Sequence, residues 1–207
     1  LLMAAACGPE GRVVACEPNP LLAGTYLPQN LALNGFYHSV EICPKVVGNL
    51  DDQAVDFVLH DGDFATSSLE RWAYAHRCGT VQAPANTLDR LCADWPRLDL
   101  VKIDAEGAEA LVWEGVRETL QRFPTVAVAV ELHLQRDPPQ VASFLHQLER
   151  EGYELRHLNY EGEIAPQRTR RPSSPIRRST GCCGCSGDEV ERKIYLEPIR
   201  ITPFGGR

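Results

Sequence analysis

Three carboxylates stand close together in one short stretch, residues 101–109, which reads Val-Lys-Ile-Asp-Ala-Glu-Gly-Ala-Glu. Asp104 ends an apolar run typical of a buried strand, and Glu106 and Glu109 are predicted to lie on the first turn of the next helix. Helix capping alone accounts for Glu109 and could account for Glu106. A strand-end aspartate is poorly placed to cap a helix, so Asp104 is a candidate for binding a ligand or accepting a proton.

A histidine ends the next predicted strand, in the sequence Val-Glu-Leu-His at residues 130–133. Successive strands of α/β chains are usually neighbours, so we expect His133 to lie beside Asp104 at the same edge of the sheet. His133 could act there as a general base, although a structural histidine fits the position equally well. Glu131 could orient His133 or bond to another neighbour.

An acid also ends the first predicted strand, where residues 11–20 read Gly-Arg-Val-Val-Ala-Cys-Glu-Pro-Asn-Pro. The carboxylate of Glu17 could accept hydrogen bonds from both hydroxyls of a ribose, a contact that many nucleotide-type cofactors need. A solvated strand-end acid explains Glu17 equally well, since no Gly-rich loop precedes it. Asn19 and Asn30 are more simply explained by helix entry and by exposure at the surface.

Residues 165–188 differ in composition from the rest of the chain, being rich in Pro, Ser, Arg, Gly and Cys. Their Cys-Cys-Gly-Cys run at 182–185 lacks the fourth ligand of a zinc site. We therefore expect a flexible Arg/Cys-rich insertion between the last two strands. Its arginines could recognise an acidic or phosphorylated substrate, but a solvated loop is the simpler interpretation.

Composition narrows the class of protein. The chain has 207 residues, of which 43% are hydrophobic and 24% charged, as expected for one globular domain. Its net charge of −7 disfavours nucleic acid as a partner. The eight cysteines do not form the framework of a small secreted protein, which favours the reducing cytoplasm. No apolar run is long enough to predict a membrane span.

Strands and helices alternate along the sequence. The predicted strands cover residues 11–17, 40–47, 54–59, 98–104, 125–134, 153–158 and 192–199. The predicted helices cover 20–34, 86–95, 106–123 and 138–151, whereas 62–85 is polar and gives only a weak signal for a short helix at 67–70. This alternation predicts an α/β fold with a doubly wound, mostly parallel sheet, in which ligands bind at the carboxyl ends of the strands.

Five segments, read together, resemble the FkbM-type methyltransferase family. The most specific is Lys-Ile-Asp-Ala-Glu-Gly-Ala-Glu at 102–109. The others are residues 11–20, Asn-Leu-Ala-Leu-Asn-Gly at 30–35, Thr-Leu-Asp at 87–89, and Val-Glu-Leu-His at 130–133. The resemblance extends over most of the chain.

The resemblance implies methyl transfer from S-adenosylmethionine to a small-molecule acceptor, usually a hydroxyl of a sugar, a lipid or a secondary metabolite. It also implies a Rossmann-like class I methyltransferase fold with an antiparallel last strand. The implied cofactor-binding residues are Glu17, Pro18 and Asn19 near the ribose, and Val47, Gly48 and Asn49 near the adenine. The implied catalytic residues are Asp104, which approaches the transferred methyl group, with Glu106 and His133. The chemistry requires no metal, although the acids leave an accessory divalent ion open.

Members of the family begin with a strand and a Gly-rich loop that supports the methionine end of the cofactor. Residues 1–7 resemble the end of the helix that follows this loop, so we expect one domain over 1–207, truncated at its N-terminus. Two alternatives stay open. One is a non-catalytic fragment or binding module in which the acids and the histidine are structural. The other is a nicotinamide-dependent oxidoreductase, which shares the strand-end acid but not the 102–109 segment.

Overall fold

Helices and strands alternate in the computed structural model, which describes residues 1–60, 77–133, 138–158, 164–166 and 192–198. The helices are α1 Leu2–Cys7, α2 Leu27–Leu33, α3 Leu88–Leu91, α4 Glu109–Glu114, α5 Arg117–Arg122 and α6 Pro138–Arg150. The strands are β1 Val13–Cys16, β2 Val40–Cys43, β3 Val46–Val47, β4 Gln53–His60, β5 Arg77–Asn86, β6 Leu100–Ile103, β7 Ala127–Leu132, β8 Tyr153–Leu158, β9 Ile164–Pro166 and β10 Arg192–Pro198. The fold is therefore α/β, as the sequence predicts. The short helix predicted at 67–70 and most of the Arg/Cys-rich insertion lie outside the described residues.

The chain forms two compact units. The first comprises residues 1–98 and 105–124, and the second comprises 99–104 and the described residues from 125 onward. In the first unit, β1 pairs in parallel with β2, while a separate sheet has the strand order β3-β5-β4. The second unit contains one sheet with the order β6-β7-β10-β8-β9. The region predicted as a single strand at 40–47 is thus divided between the two sheets of the first unit.

The sheet of the second unit combines parallel and antiparallel pairs. β6 and β7 run parallel, with Ile103 opposite Val130, so the residues that follow the two strands emerge at the same edge. The last strand, β10, is antiparallel to both β7 and β8, as the resemblance implies. Valines, an isoleucine and a leucine occupy most of the buried positions of β6 and β7, and their burial holds the strand ends in place.

β5 is a long strand in a region whose sequence gives no strand signal. Gly79 and Pro84 both disfavour strand structure, yet β5 pairs antiparallel with β4 along nearly its whole length. Ala83 and Ala85 are buried against Val46 and Phe57 in the core of this sheet. Pairing and burial therefore outweigh local propensity, and the strand at 77–86 is one that the sequence does not predict.

The helix predicted to begin after Pro20 starts with a π-helical segment, Leu22–Tyr26, and continues as α2. It ends where Asn34 and Gly35 predict, and Gly35 has a φ of 76°, which favours glycine. The sequence from Pro20 to Asn34 places leucines at helical spacing; of these, Leu31 is buried, whereas Leu21 and Leu33 are exposed. The prediction of a helix is confirmed, but the leucines do not form one buried face.

The helix predicted at 106–123 is interrupted in the middle, giving α4 and α5 on either side of Gly115 and Val116. α4 begins only at Glu109. Glu106 precedes it with a φ of 53°, a left-handed conformation that is uncommon for a residue other than glycine. The prediction that Glu106 lies on the first helical turn is therefore wrong.

The Thr-Leu-Asp segment at 87–89 organises this part of the first unit. Thr87, rather than Asn86, caps α3, because its hydroxyl accepts a hydrogen bond from the backbone N–H of Arg90 at 3.0 Å. The carboxylate of Asp89 accepts hydrogen bonds from the N–H groups of Glu118 and Thr119 at 3.2 and 2.6 Å. Asp89 therefore caps the start of α5 from another helix and explains why α5 begins there.

We expect Asp89→Ala to lower the free energy of unfolding by about 1–2 kcal/mol, because it leaves two N–H groups of the first turn of α5 without their acceptor. Urea unfolding followed by circular dichroism measures the loss. The matched control is Asp94→Ala, which removes an exposed aspartate shortly after α3. Equal losses in the two variants would contradict the capping role.

Candidate functional site

The ends of β6 and β7 bring four polar side chains together. Side chains alternate along a strand, so Lys102 and Asp104 lie on the face opposite the buried Val101 and Ile103. The parallel register places Lys102 opposite Ala129 and Ile103 opposite Val130. The next residues, Asp104 and Glu131, therefore come level with each other, and His133 follows on the same side as Glu131.

The distances confirm this arrangement. The ammonium of Lys102 donates a hydrogen bond to Asp104 Oδ2 at 2.7 Å and lies 3.3 Å from Glu131 Oε2. His133 Nε2 lies 4.0 Å from Asp104 Oδ1. We call Lys102, Asp104, Glu131 and His133 the strand-end cluster. The expected neighbourhood of His133 and Asp104 is confirmed, whereas sequence analysis did not identify Lys102, although its position two residues before Asp104 puts it on the same face.

Exposure differs sharply within the strand-end cluster. The side chains of Glu131 and His133 are only 9% and 7% exposed, whereas that of Asp104 is 36% exposed. Asp104 is therefore the carboxylate that a ligand can reach. The carboxylate of Glu131 is buried, and the nearby ammonium of Lys102 offsets its negative charge.

The two carboxylates also determine the charge state of Lys102. Burial by itself would lower the pKa of Lys102, but the hydrogen bond and charge of Asp104, together with Glu131, outweigh it and raise the pKa. Lys102 is thus a cation at neutral pH. An accessible carboxylate held by this cation and placed near an imidazole can orient a hydroxyl and accept its proton. Asp104 and His133 are also residue types that bind divalent ions.

The remaining acids of this segment have different structural settings. Glu109 is buried, and its Oε1 accepts the backbone N–H of Gly107 at 2.9 Å. This contact confirms that Glu109 stabilises the turn at the start of α4. Glu106 is half-buried, and its left-handed backbone is the kind of local strain that occurs at functional sites. No sequence signal indicates that strain.

Glu17 lies directly after β1, and its backbone N–H donates to the carbonyl of Cys43 at 3.0 Å, which extends the pairing with β2. Its Oε1 accepts the N–H of Asn19 at 2.8 Å. Burial raises the pKa of Glu17, although the hydrogen bond from Asn19 opposes the shift. A partly desolvated carboxylate with one oxygen engaged by the backbone is suited to receive further donors, such as the hydroxyls of a ribose.

Asn19 has the structural role that the sequence suggests. It is fully buried, and its Oδ1 accepts the N–H of Leu21 at 3.0 Å as the chain enters the helix. Pro18, between Glu17 and Asn19, is half-buried. These contacts fix the backbone around Glu17, so Asn19 would contribute to a cofactor site mainly by holding Glu17 in place.

The segment Val47, Gly48 and Asn49 is also held firmly. Gly48 is buried, and its N–H donates to the carbonyl of Asn86 at 3.1 Å. The side chain of Asn49 donates to Glu114 at 2.7 Å. Sequence analysis did not identify Asn86 as an anchor, and its side chain also accepts a hydrogen bond from Lys45 at 2.6 Å.

Asp51 extends the same anchoring to the start of α3. Its Oδ1 accepts hydrogen bonds from the backbone N–H of Thr87 at 2.7 Å and from the hydroxyl of Thr87 at 2.9 Å. The backbone hydrogen bond from Thr87 lowers the pKa of Asp51. The segment that leaves β3 is therefore held by hydrogen bonds at Gly48, Asn49 and Asp51.

One of the comparisons with known proteins gives a match. A family model described as the methyltransferase FkbM domain matches residues 1–155. The matched range contains the strand-end cluster as well as residues 17–19 and 47–49. No curated protein and no solved structure matches the chain.

Proposed function

Because the chain belongs to the FkbM family of methyltransferases, we propose that it transfers a methyl group from S-adenosylmethionine to a hydroxyl of a sugar, lipid or secondary metabolite. Membership of this family shows that the protein is a methyltransferase. The identities of the methyl donor and of the acceptor are our proposal. The strand-end cluster supports an oxygen acceptor, because Asp104 is accessible and lies 4.0 Å from His133. A carboxylate beside an imidazole suits removal of a hydroxyl proton.

Residues of the first unit are proposed to hold the donor. The carboxylate of Glu17 would accept hydrogen bonds from the ribose hydroxyls, with Pro18 and Asn19 fixing its backbone. Val47, Gly48 and Asn49 would line the adenine. S-Adenosylmethionine would supply an electrophilic methyl group on a positively charged sulfur. The hydrogen bonds that hold both segments support this role, because they fix the backbone around the proposed contacts.

Residues of the second unit are proposed to prepare the acceptor. Asp104 would accept a hydrogen bond from the acceptor hydroxyl and align its oxygen for an in-line displacement. As the new carbon–oxygen bond forms, the bond between the methyl carbon and the sulfur of the donor would break, with S-adenosylhomocysteine as the leaving group. The hydroxyl proton would pass to the Asp104–His133 pair. Glu106, which follows Asp104 by two residues and belongs to the first unit, is proposed as a further residue that contacts the acceptor. No step in this scheme requires a metal ion.

The setting of the protein is part of the proposal. We propose a doubly wound class I arrangement for the complete fold and a location in the cytoplasm. Cys7, Cys16, Cys43 and Cys92 are free thiols, which supports a reducing environment. None of the described helices has the length and apolarity that crossing a membrane requires. The acidic net charge of −7 supports a small-molecule acceptor rather than a nucleic acid.

Methyl transfer can be tested with S-adenosylmethionine labelled with tritium in its methyl group. The protein, at its full natural length, is incubated with a panel of monosaccharides, hydroxylated lipids and phenols, and labelled products are separated by chromatography. Label in an ether-linked methyl group supports the proposal. Label only on nitrogen or sulfur acceptors contradicts it, and no transfer with intact cofactor binding favours a binding module.

We expect Glu17→Gln to weaken the binding of S-adenosylhomocysteine by about 10-fold or more, because ribose hydroxyls bond more strongly to a charged acceptor.

The same variant should be more stable than the wild type at pH 8. Burial raises the pKa of Glu17, so the folded protein binds this proton more tightly than the unfolded chain does. The folded protein therefore loses stability as the pH rises from the ordinary pKa of a glutamate to the raised pKa of Glu17. Glutamine keeps the bond from Asn19 without this cost.

Calorimetric titration measures the affinity, and urea unfolding at several pH values measures the stability. The stability difference should disappear at about pH 3, where the carboxyl is neutral in both the folded and the unfolded chain. Unchanged affinity in Glu17→Gln would remove Glu17 from the cofactor site. A variant less stable than the wild type at pH 8 would contradict the account of its burial.

A further inference from the structure

Lys102 and Glu131 are the members of the strand-end cluster to which the proposed mechanism gives no role. The ammonium of Lys102 lies within 3.3 Å of two carboxylates, Asp104 on its own strand and Glu131 on the neighbouring strand. The two acids come level across the parallel register of β6 and β7. Without a cation between them, their charges would repel each other and Asp104 would turn toward solvent.

The contact of Lys102 with Asp104 involves one carboxylate oxygen only. Oδ2 accepts the hydrogen bond from Lys102, and Oδ1 is the oxygen that lies near His133. The terminal torsion of an aspartate is otherwise broad, so a carboxylate without such a partner samples many orientations. The bond to Lys102 selects the orientation in which Oδ1 is presented on the His133 side.

Glu131 completes the arrangement by holding the ammonium. Its carboxylate is 9% exposed and is fixed on a strand whose neighbouring residues are buried, whereas the side chain of Lys102 is 43% exposed. A long lysine side chain in that setting loses its freedom only if both ends are held. Glu131 therefore holds the ammonium of Lys102 in place, and Lys102 in turn holds the carboxylate of Asp104.

We propose that Lys102 is a positioning residue, which, anchored by Glu131, holds the carboxylate of Asp104 in the orientation that the methyl acceptor meets. The functional part of this inference rests on the proposed methyl transfer, while its structural part concerns Asp104 alone. Lys102 does not touch the reacting atoms in this scheme. It reduces the range of orientations that Asp104 samples before the acceptor binds.

The test uses Lys102→Met, which keeps much of the side-chain length without the charge, and Lys102→Arg, whose guanidinium can bridge two carboxylates. We expect Lys102→Met to lower kcat about 10- to 100-fold, with the affinity for S-adenosylhomocysteine changed by less than about twofold. Lys102→Arg should recover most of the loss. Arg150→Met, at the exposed end of α6, is the matched control for loss of a basic side chain.

Crystal structures of the wild type and Lys102→Met provide a readout that does not depend on activity. The account expects the Asp104 carboxylate to rotate in the variant, so that the separation of its Oδ1 from His133 Nε2 grows beyond 4.0 Å. An unmoved carboxylate, or an unchanged kcat in an active protein, would overturn the inference. If the wild type transfers no methyl group, the proposed function fails, and the position of Asp104 still decides the role of Lys102.

A second variant guards against misfolding. Loss of Lys102 removes a positive charge that lies 3.3 Å from the buried carboxylate of Glu131, which can destabilise the fold on its own. The double variant Lys102→Met/Glu131→Gln removes both charges and keeps a polar amide at 131. The account expects Asp104 to be as mobile in the double variant as in Lys102→Met, and a fixed Asp104 in a folded double variant would overturn it.

Discussion

Replacing Asp104 with asparagine is expected to lower kcat about 100- to 10,000-fold, while the affinity for S-adenosylhomocysteine changes by less than about twofold. Asparagine has nearly the same shape and keeps an oxygen that Lys102 can bond. It cannot accept a proton, and it no longer offers a negative charge to the acceptor hydroxyl or to an imidazolium at His133. The loss should therefore appear in turnover rather than in cofactor binding.

Single-turnover transfer of tritiated methyl, together with calorimetric titration, separates the two effects. Asp94→Asn is the matched control, because it makes the same chemical change at an exposed aspartate outside the strand-end cluster. Turnover of Asp104→Asn close to that of the control would remove Asp104 from the catalytic residues. A parallel loss of cofactor affinity would show that Asp104 acts in binding instead.

Gly115→Ala is expected to lower the free energy of unfolding by about 1–3 kcal/mol and to weaken binding of S-adenosylhomocysteine. A Cβ at residue 115 would lie 2.0 Å from the carbonyl oxygen of Gly48 and 3.1 Å from Cβ of Thr87. Both neighbours are anchored, so the strain cannot be relieved by rotating a flexible side chain. The segment containing Gly48, which we propose lines the adenine, would have to move.

Gly24→Ala is the matched control for this substitution. A Cβ at residue 24 would meet no other atom within 4 Å, and its helical backbone accepts alanine readily. We therefore expect Gly24→Ala to leave stability unchanged or slightly raised and cofactor binding unchanged. If Gly115→Ala behaves like this control in urea unfolding and calorimetry, the close approach of Gly115 to Gly48 does not hold the binding segment in place.

The elements that the sequence predicts best are those whose signal is local. β7 is a run of mostly apolar residues rich in valine, whereas β8 alternates apolar with charged or polar residues after Gly152. The predicted bounds of β8 agree with the structure at both ends. α6 begins at Pro138 and ends before Gly152, which has a φ of 88°. Local propensity and tertiary packing agree in these segments, so a single sequence is sufficient.

The elements that sequence analysis missed depend on contacts between distant residues. β5 is a strand because it pairs with β4, although Gly79 and Pro84 argue against it. The break between α4 and α5 depends on the approach of Gly115 to Gly48 and on capping by Asp89, which is far away in the sequence. Neither contact leaves a local pattern that propensity or periodicity could detect.

The candidate site was predictable in part. The proximity of Asp104 and His133 follows from the order of two strands, and the structure has them 4.0 Å apart. The role of Lys102 needs the register between β6 and β7, which the sequence does not specify, and the left-handed backbone of Glu106 has no sequence signature. The roles of Glu17, Pro18, Asn19, Val47, Gly48 and Asn49 remain predictions until a cofactor is bound.

The most direct test of the central claim is calorimetric titration of S-adenosylhomocysteine and of NAD⁺ into the protein at its full natural length. The account predicts saturable binding of S-adenosylhomocysteine at one site per chain, weakened in Glu17→Gln, and no heat of binding for NAD⁺. Saturable binding of NAD⁺ without binding of S-adenosylhomocysteine would contradict it, because the strand-end acid Glu17 would then serve a nicotinamide cofactor.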